Sequence, residues 1–114
     1  MEWYKKVFVL TTVKQLSETN LGIRIVVLES PTLTLELLEF SGSLTRKKLL
    51  EGTQEGTEIQ GHLKFGFYVP DMDACLKHLA SLKINVLRVW TDSDTKNRNS
   101  LIEDPDGNLI QFFQ

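Results

Sequence analysis

The apolar positions change period along this chain, and the changes mark its elements. Trp3, Tyr4, Val7 and Phe8 recur at helical spacing, so residues 2–8 read as the end of a helix with one covered face. Leu10 to Glu18 reads as a partly exposed strand, given its Thr and Lys content. Asn20-Leu21-Gly22 is a turn signal between two strand-like runs. The β-branched run Ile23 to Glu29 predicts a second strand. Ser30-Pro31-Thr32 breaks it, and Leu33 to Phe40 predicts a third. Residues 41–61 lose the periodicity and read as a linker with room for one helical turn. His62 to Val69 is a strand. Asp71 is then a natural N-cap for a helix whose Met72, Cys75, Leu76, Leu79 and Leu82 form a core-facing stripe. Ile84 to Trp90, Asn99 to Glu103 and Leu109 to Phe113 are three more strands, with a polar loop at 91–98 and a turn at 104–108.

The element order is therefore α-β-β-β, linker, β-α-β-β-β. The second unit is a full βαβββ module, and the first lacks an opening strand. Mixed strands with helices on one face make an α+β fold.

Composition narrows the function classes. The 114 residues suffice for one domain with a core, and 41% hydrophobic with 25% charged residues is ordinary for a globular protein. A net charge of −2 gives no global electrostatic case for nucleic acid or an anionic membrane. The run Arg46-Lys47-Lys48 is followed by Glu51, Glu55 and Glu58 and reads as a solvated loop. Cys75 is the single cysteine, so no intramolecular disulfide forms. No apolar run nears the ~20 residues that span a bilayer, and residues 1–20 lack the apolar core of a signal peptide; a cytoplasmic protein is expected.

The segment from Gly61 carries the most specific signal. A strand opening Gly61-His62-Leu63-Lys64-Phe65, and a last strand launched by Asp104-Pro105-Asp106-Gly107-Asn108, resemble the second module of the vicinal oxygen chelate superfamily, which comprises glyoxalases, bleomycin-resistance proteins and dioxygenases. Trp3 to Phe8 and Leu35-Glu36-Leu37-Leu38 resemble parts of its first module. The resemblance implies a cupped, incompletely closed barrel of two βαβββ modules: module one at 1–40, linker 41–61 and module two at 62–114. It also implies a divalent metal (Zn, Ni, Mn or Fe), held by side chains from the first and last strand of each module. By position, Glu36 and His62 match two of those ligands. Gln111 falls where the family usually has Glu, and the fourth ligand has no counterpart.

Strand parity is consistent with that assignment, since alternate residues face opposite sides. Glu36, His62 and Gln111 each lie opposite the strongly apolar positions of their strands, so they are expected to converge on one concave face. Lys64, Tyr68 and Trp90 are candidate pocket residues. Gln111 is a poorer ligand than a carboxylate and cannot act as a base at neutral pH, so weak metal binding or none is expected. Each candidate has a plainer alternative: His62 as a polar strand start, Lys64 as a surface cation, Tyr68 and Trp90 as core. Cys75 reads as core, His78 as surface, and the aspartates of 104–108 as turn formers.

Two functions stay open. One, implied by the resemblance, is a metal-dependent enzyme, either a lyase (lactoylglutathione lyase-like) or isomerase or a dioxygenase, acting on a small oxygen-rich substrate such as a glutathione thiohemiacetal. The other is a non-catalytic relative that sequesters a small molecule. The missing opening strand leaves an unpaired edge, so a homodimer is expected.

Overall fold

The structure, a computed structural model, describes residues 1–57 and 64–114, apart from the side chain of Thr19. The expected His62 ligand therefore lies outside the described residues. The element order matches the sequence reading: α1 (Glu2–Phe8), β1 (Thr11–Glu18), β2 (Ile23–Ser30), β3 (Leu33–Phe40), α2 (Arg46–Leu50), β4 (Lys64–Tyr68), α3 (Met72–Ser81), β5 (Val86–Thr91), β6 (Arg98–Glu103) and β7 (Leu109–Phe113). The chain divides into two compact units, Met1–Leu44 and Thr45–Gln114, each with its own sheet. The fold is α+β. No helix among the described residues is long and apolar enough to cross a membrane.

The first unit is a three-stranded antiparallel sheet in the order β1-β2-β3. Tyr4, Val7, Leu10 and Leu28 are its buried apolar residues. Trp3, Tyr4 and Phe8 form a cluster in which the Trp3 and Tyr4 rings meet edge-on at 5.0 Å and Tyr4 stacks with Phe8 at 6.0 Å. Helix α1 ends on Val9, which adopts the left-handed conformation (φ 53°, ψ 49°) that is unfavourable for a β-branched residue. Gly22 has φ 63°, and a Cβ there would lie 2.1 Å from Ser41 Oγ, so the turn before β2 needs glycine.

The second unit is a four-stranded sheet in the order β4-β7-β6-β5, with β4 parallel to β7 and the other pairs antiparallel. Helix α3 starts as expected: Asp71 caps it, accepting from the Ala74 N–H at 3.0 Å. The side chain of Gln114 accepts from the Met72 N–H at 2.8 Å and so ties the chain end to the same helix start. Met72 and Leu79 of α3 are fully buried, as are Ile102 of β6 and Ile110 of β7. Burying each such side chain contributes roughly 1.5–3 kcal/mol, so these four dominate the unit's packing.

Three local expectations are corrected. Arg46-Lys47-Lys48, read as a solvated loop, lies in the short helix α2, the one turn for which the linker had room, and Thr45 caps it through a hydrogen bond from the Lys48 N–H at 3.1 Å. Lys48 also pairs with Glu51. His78 is half-buried rather than on the surface, since its place beside Leu79 draws it toward the packed side of α3. Cys75 is half-buried as well, and that burial pushes its thiol above the ordinary range.

Candidate functional site

Strand register in the second unit builds one face from residues that are scattered in sequence. Paired residues share a side of a sheet, so three rows can be read across it. Lys64, Leu109 and Glu103 form the first row. Gly66, Gln111, Leu101 and Arg88 form the second. Tyr68, Phe113, Asn99 and Trp90 form the third. Lys64, Tyr68, Trp90 and Gln111 therefore do share a face, with Gln111 near its centre.

Their environments differ. Tyr68 is 81% exposed, with its ring 5.4 Å from that of Phe113, so it is not core. Lys64 is exposed. Trp90 is half-buried, with the Arg88 guanidinium 5.2 Å above its ring, a cation–π pair. Gln111 is only 5% exposed and Asn99 only 4%. The row holding Gln111 depends on Gly66. A Cβ there would sit 2.3 Å from the Phe113 ring and 2.8 Å from the Gln111 carbonyl oxygen.

The orientation of the Gln111 amide follows from a short relay. The Asn97 backbone carbonyl can only accept, so Asn99 turns its Nδ2 toward it, at 3.0 Å. Asn99 Oδ1 is then left facing Gln111. It can only accept too, so Gln111 presents Nε2, again at 3.0 Å. Gln111 Oε1 is consequently fixed on the far side of the amide. It is a buried acceptor with no hydrogen-bond partner among the described residues, and leaving such a group unmade costs about 1–3 kcal/mol. Asn99 was missed by sequence reasoning. Its place on the Gln111 face follows only from the register that sets Leu101 opposite Gln111.

A cleft of about 740 Å³ adjoins this face, lined by residues including Thr45, Arg46, Lys47, Glu103, Gly107 and Leu109. Its volume suits a small molecule. Glu103 and Leu109 belong to the first row, so the cleft lies one row from Gln111. The turn between β6 and β7 is held by Asp104, which is buried. Its Oδ1 accepts from the Asp106 and Asn108 N–H groups at 2.9 and 2.8 Å, and its Oδ2 from Asn108 Nδ2 at 2.8 Å. Gly107 completes the turn at φ 91°. The aspartates of 104–108 thus form a turn, as the sequence indicated.

In the first unit, Glu36 sits on β3 with Val27 of β2 opposite it. Exposure alternates along β3, with Leu33, Leu35 and Leu37 half-buried and Thr34, Glu36 and Leu38 exposed. Glu36 therefore lies on the exposed face of β3 with Thr34 and Leu38.

The sequence matches the profile of the Glyoxalase/Bleomycin resistance protein/Dioxygenase superfamily over residues 1–112. The chain belongs to this superfamily. Solved structures agree on the fold. A glyoxalase family protein from Enterococcus faecalis superposes with a TM-score of 0.80 at 15% identity, covering 100% of this chain and 88% of that one. A glyoxylase/bleomycin resistance protein/dioxygenase domain from a Frankia species gives 0.71 at 16%, covering 98% and 78%. Lactoylglutathione lyase from Agrobacterium tumefaciens gives 0.61 at 21%, covering 96% and 78%. No protein of curated function matches the chain by sequence. At these identities the likenesses speak for the fold alone.

Superfamily members commonly use divalent metals, so the donors were tested against that chemistry. In the second unit the described ligand position offers Gln111 Oε1, one neutral oxygen. Zinc and related ions favour imidazole, thiolate or carboxylate, three or more together. Among the described residues no group of three His, Cys, Asp or Glu side chains gathers to hold a metal. The described donors do not fit a divalent metal.

Proposed function

We propose that this superfamily member binds a small molecule on the Gln111 face and does not catalyse a metal-dependent lyase reaction. The observation that carries the reading is the anchored amide with its buried Oε1, unpartnered among the described residues. It asks for a ligand N–H or O–H donor, and it cannot remove a proton from carbon as a carboxylate could. The adjoining cleft supplies space, and Lys64, Tyr68 and Trp90 supply an ammonium and two aromatic surfaces on the same side. Glu36 and His62 also remain proposed as site residues. The working form is a homodimer, and the cytoplasm is the compartment proposed.

Two assays test this together. The chain, supplied in turn with Zn, Ni, Mn and Fe(II), is offered a glutathione thiohemiacetal; no turnover above the buffer rate is expected. The chain is also screened by ligand-observed NMR against small polar compounds. Hits are expected to carry an N–H or O–H donor and to weaken about tenfold or more in Gln111→Ala, the loss of one buried hydrogen bond. Metal-dependent turnover abolished by Glu36→Ala would reinstate the lyase.

A further inference from the structure

We propose that Arg88, held over the Trp90 ring, receives the anionic end of the ligand, so that the molecule bound on the Gln111 face is a small organic oxyanion with an N–H or O–H of its own. The inference rests on the Gln111 reading of the proposed function and adds the ligand's chemical class and a second binding residue.

An irregularity in β5 puts Arg88 on this face. Val86 stands opposite Ile102, on the side of the sheet where Ile102 and Ile110 are fully buried. Strict alternation from Val86 would carry Arg88 and Trp90 to that same covered side. The register instead shifts between Val86 and Arg88. Leu87 is the extra residue of a bulge, and every later side chain of β5 changes side. Arg88 then stands opposite Leu101 and Trp90 opposite Asn99, both on the Gln111 side. Without the bulge an arginine would face the apolar layer. With it, a cation and an indole join the face that holds the buried amide.

Arg88 has no carboxylate to answer it among the described residues. Arg24 and Arg98 are each paired within the chain, with Glu39 and Asp73. Arg88 lies instead over the Trp90 ring, 5.2 Å from its centre. Asp92, just past the end of β5, turns its carboxylate into its own loop, where Oδ1 accepts from the Asp94 and Thr95 N–H groups at 3.0 and 2.8 Å. A guanidinium placed over a ring keeps its planar fork of N–H donors for a pair of oxygens, as a carboxylate or a phosphonate presents them. It also loses less side-chain freedom on taking up the anion than a cation extended into water would.

Arg88 and Gln111 sit two strands apart, about 9–10 Å at the backbone, with Leu101 between them. One molecule that reaches both lies across Leu101 and needs several atoms between its oxyanion and its donor. A bare inorganic anion reaches Arg88 alone, and an uncharged donor reaches Gln111 alone.

The experiment uses the full 114-residue chain with 6-hydroxyhexanoate and 4-(hydroxymethyl)benzoate as probes, each beside its uncharged carboxamide and its phosphonate counterpart. The chain holds two tryptophans, so Trp3→Phe leaves Trp90 as the sole indole, and saturation with either oxyanion should change its emission. By ligand-observed NMR each oxyanion should bind about tenfold or more tightly than its amide. Arg88→Gln should remove that advantage and leave amide binding within about twofold; Arg88 is exposed, so the variant is expected to fold. Whichever of carboxylate and phosphonate binds tighter identifies the source of the oxyanion. No binding by any probe, amides that bind as well as the oxyanions, or oxyanion binding indifferent to Arg88→Gln would each overturn the inference. Amide binding that still falls in Gln111→Ala would then leave the Gln111 reading standing. Oxyanions lost in Arg88→Gln but unaffected by Gln111→Ala would overturn the bridging ligand and the Gln111 reading with it.

Discussion

The last strands of the two units, β3 and β7, hold corresponding positions and keep different company. Among the described residues strand β3 has a neighbour on one side, and Glu36 stands exposed on it. Strand β7 is enclosed on both sides, and its Ile110, Gln111 and Phe112 are all buried. Burial decides what each position can carry. An exposed carboxylate keeps its hydration. A carboxylate buried at Gln111 would lose it and would meet Asn99 Oδ1, which can only accept. An amide meets the same neighbour with a donor. The neutral residue at this site follows from its surroundings, and the surroundings also fix which of its atoms bonds Asn99.

The largest effect expected from breaking this contrast comes from Gln111→Glu. A buried, unpaired carboxylate should cost about 2–4 kcal/mol at neutral pH in chemical denaturation. Its folded-state pKa would be raised above the unfolded value, so the loss is present above about pH 4.3 and recedes as the pH falls below it. Glu36→Gln, exposed, should stay within about 0.5 kcal/mol at any pH. Equal effects at the two positions would break the contrast.

Asp104→Ala comes next. It removes three hydrogen bonds at 2.8–2.9 Å from the turn that launches β7, and a loss of about 2–3 kcal/mol is expected, read from the melting midpoint. Gly66→Ala should cost about 1–3 kcal/mol, because the new Cβ collides with Phe113 and with the Gln111 backbone. Changed NMR shifts at Gln111 and Asn99 should accompany it; unchanged shifts would show that β4 does not support the site. The smallest effect has the opposite sign and lies in the first unit. Val9→Gly relieves a left-handed β-branched residue that is 72% exposed, and should raise stability by about 1 kcal/mol.

Much of this was legible in the sequence, for physical reasons. The run LTLELLEF between Pro31-Thr32 and Ser41 marked the bounds of β3. Asp71 marked its helix, and the DPDGN segment its turn. The amide relay was not legible, because it depends on cross-strand register: Asn99 and Gln111 are twelve residues apart and meet on a diagonal between β6 and β7. Helix α2 was read as loop because its charges masked a Thr cap.

The most direct test of the central claim, that the buried Gln111 oxygen serves a ligand's donor and not a metal, is metal content. The purified chain is stripped with chelator, incubated with excess Zn, Ni, Mn or Fe(II) in turn, desalted, and its bound metal counted by mass spectrometry. Well under one ion per chain is predicted for every metal, with no change in Gln111→Ala. One retained ion per chain, lost in both Gln111→Ala and Glu36→Ala, would contradict the account.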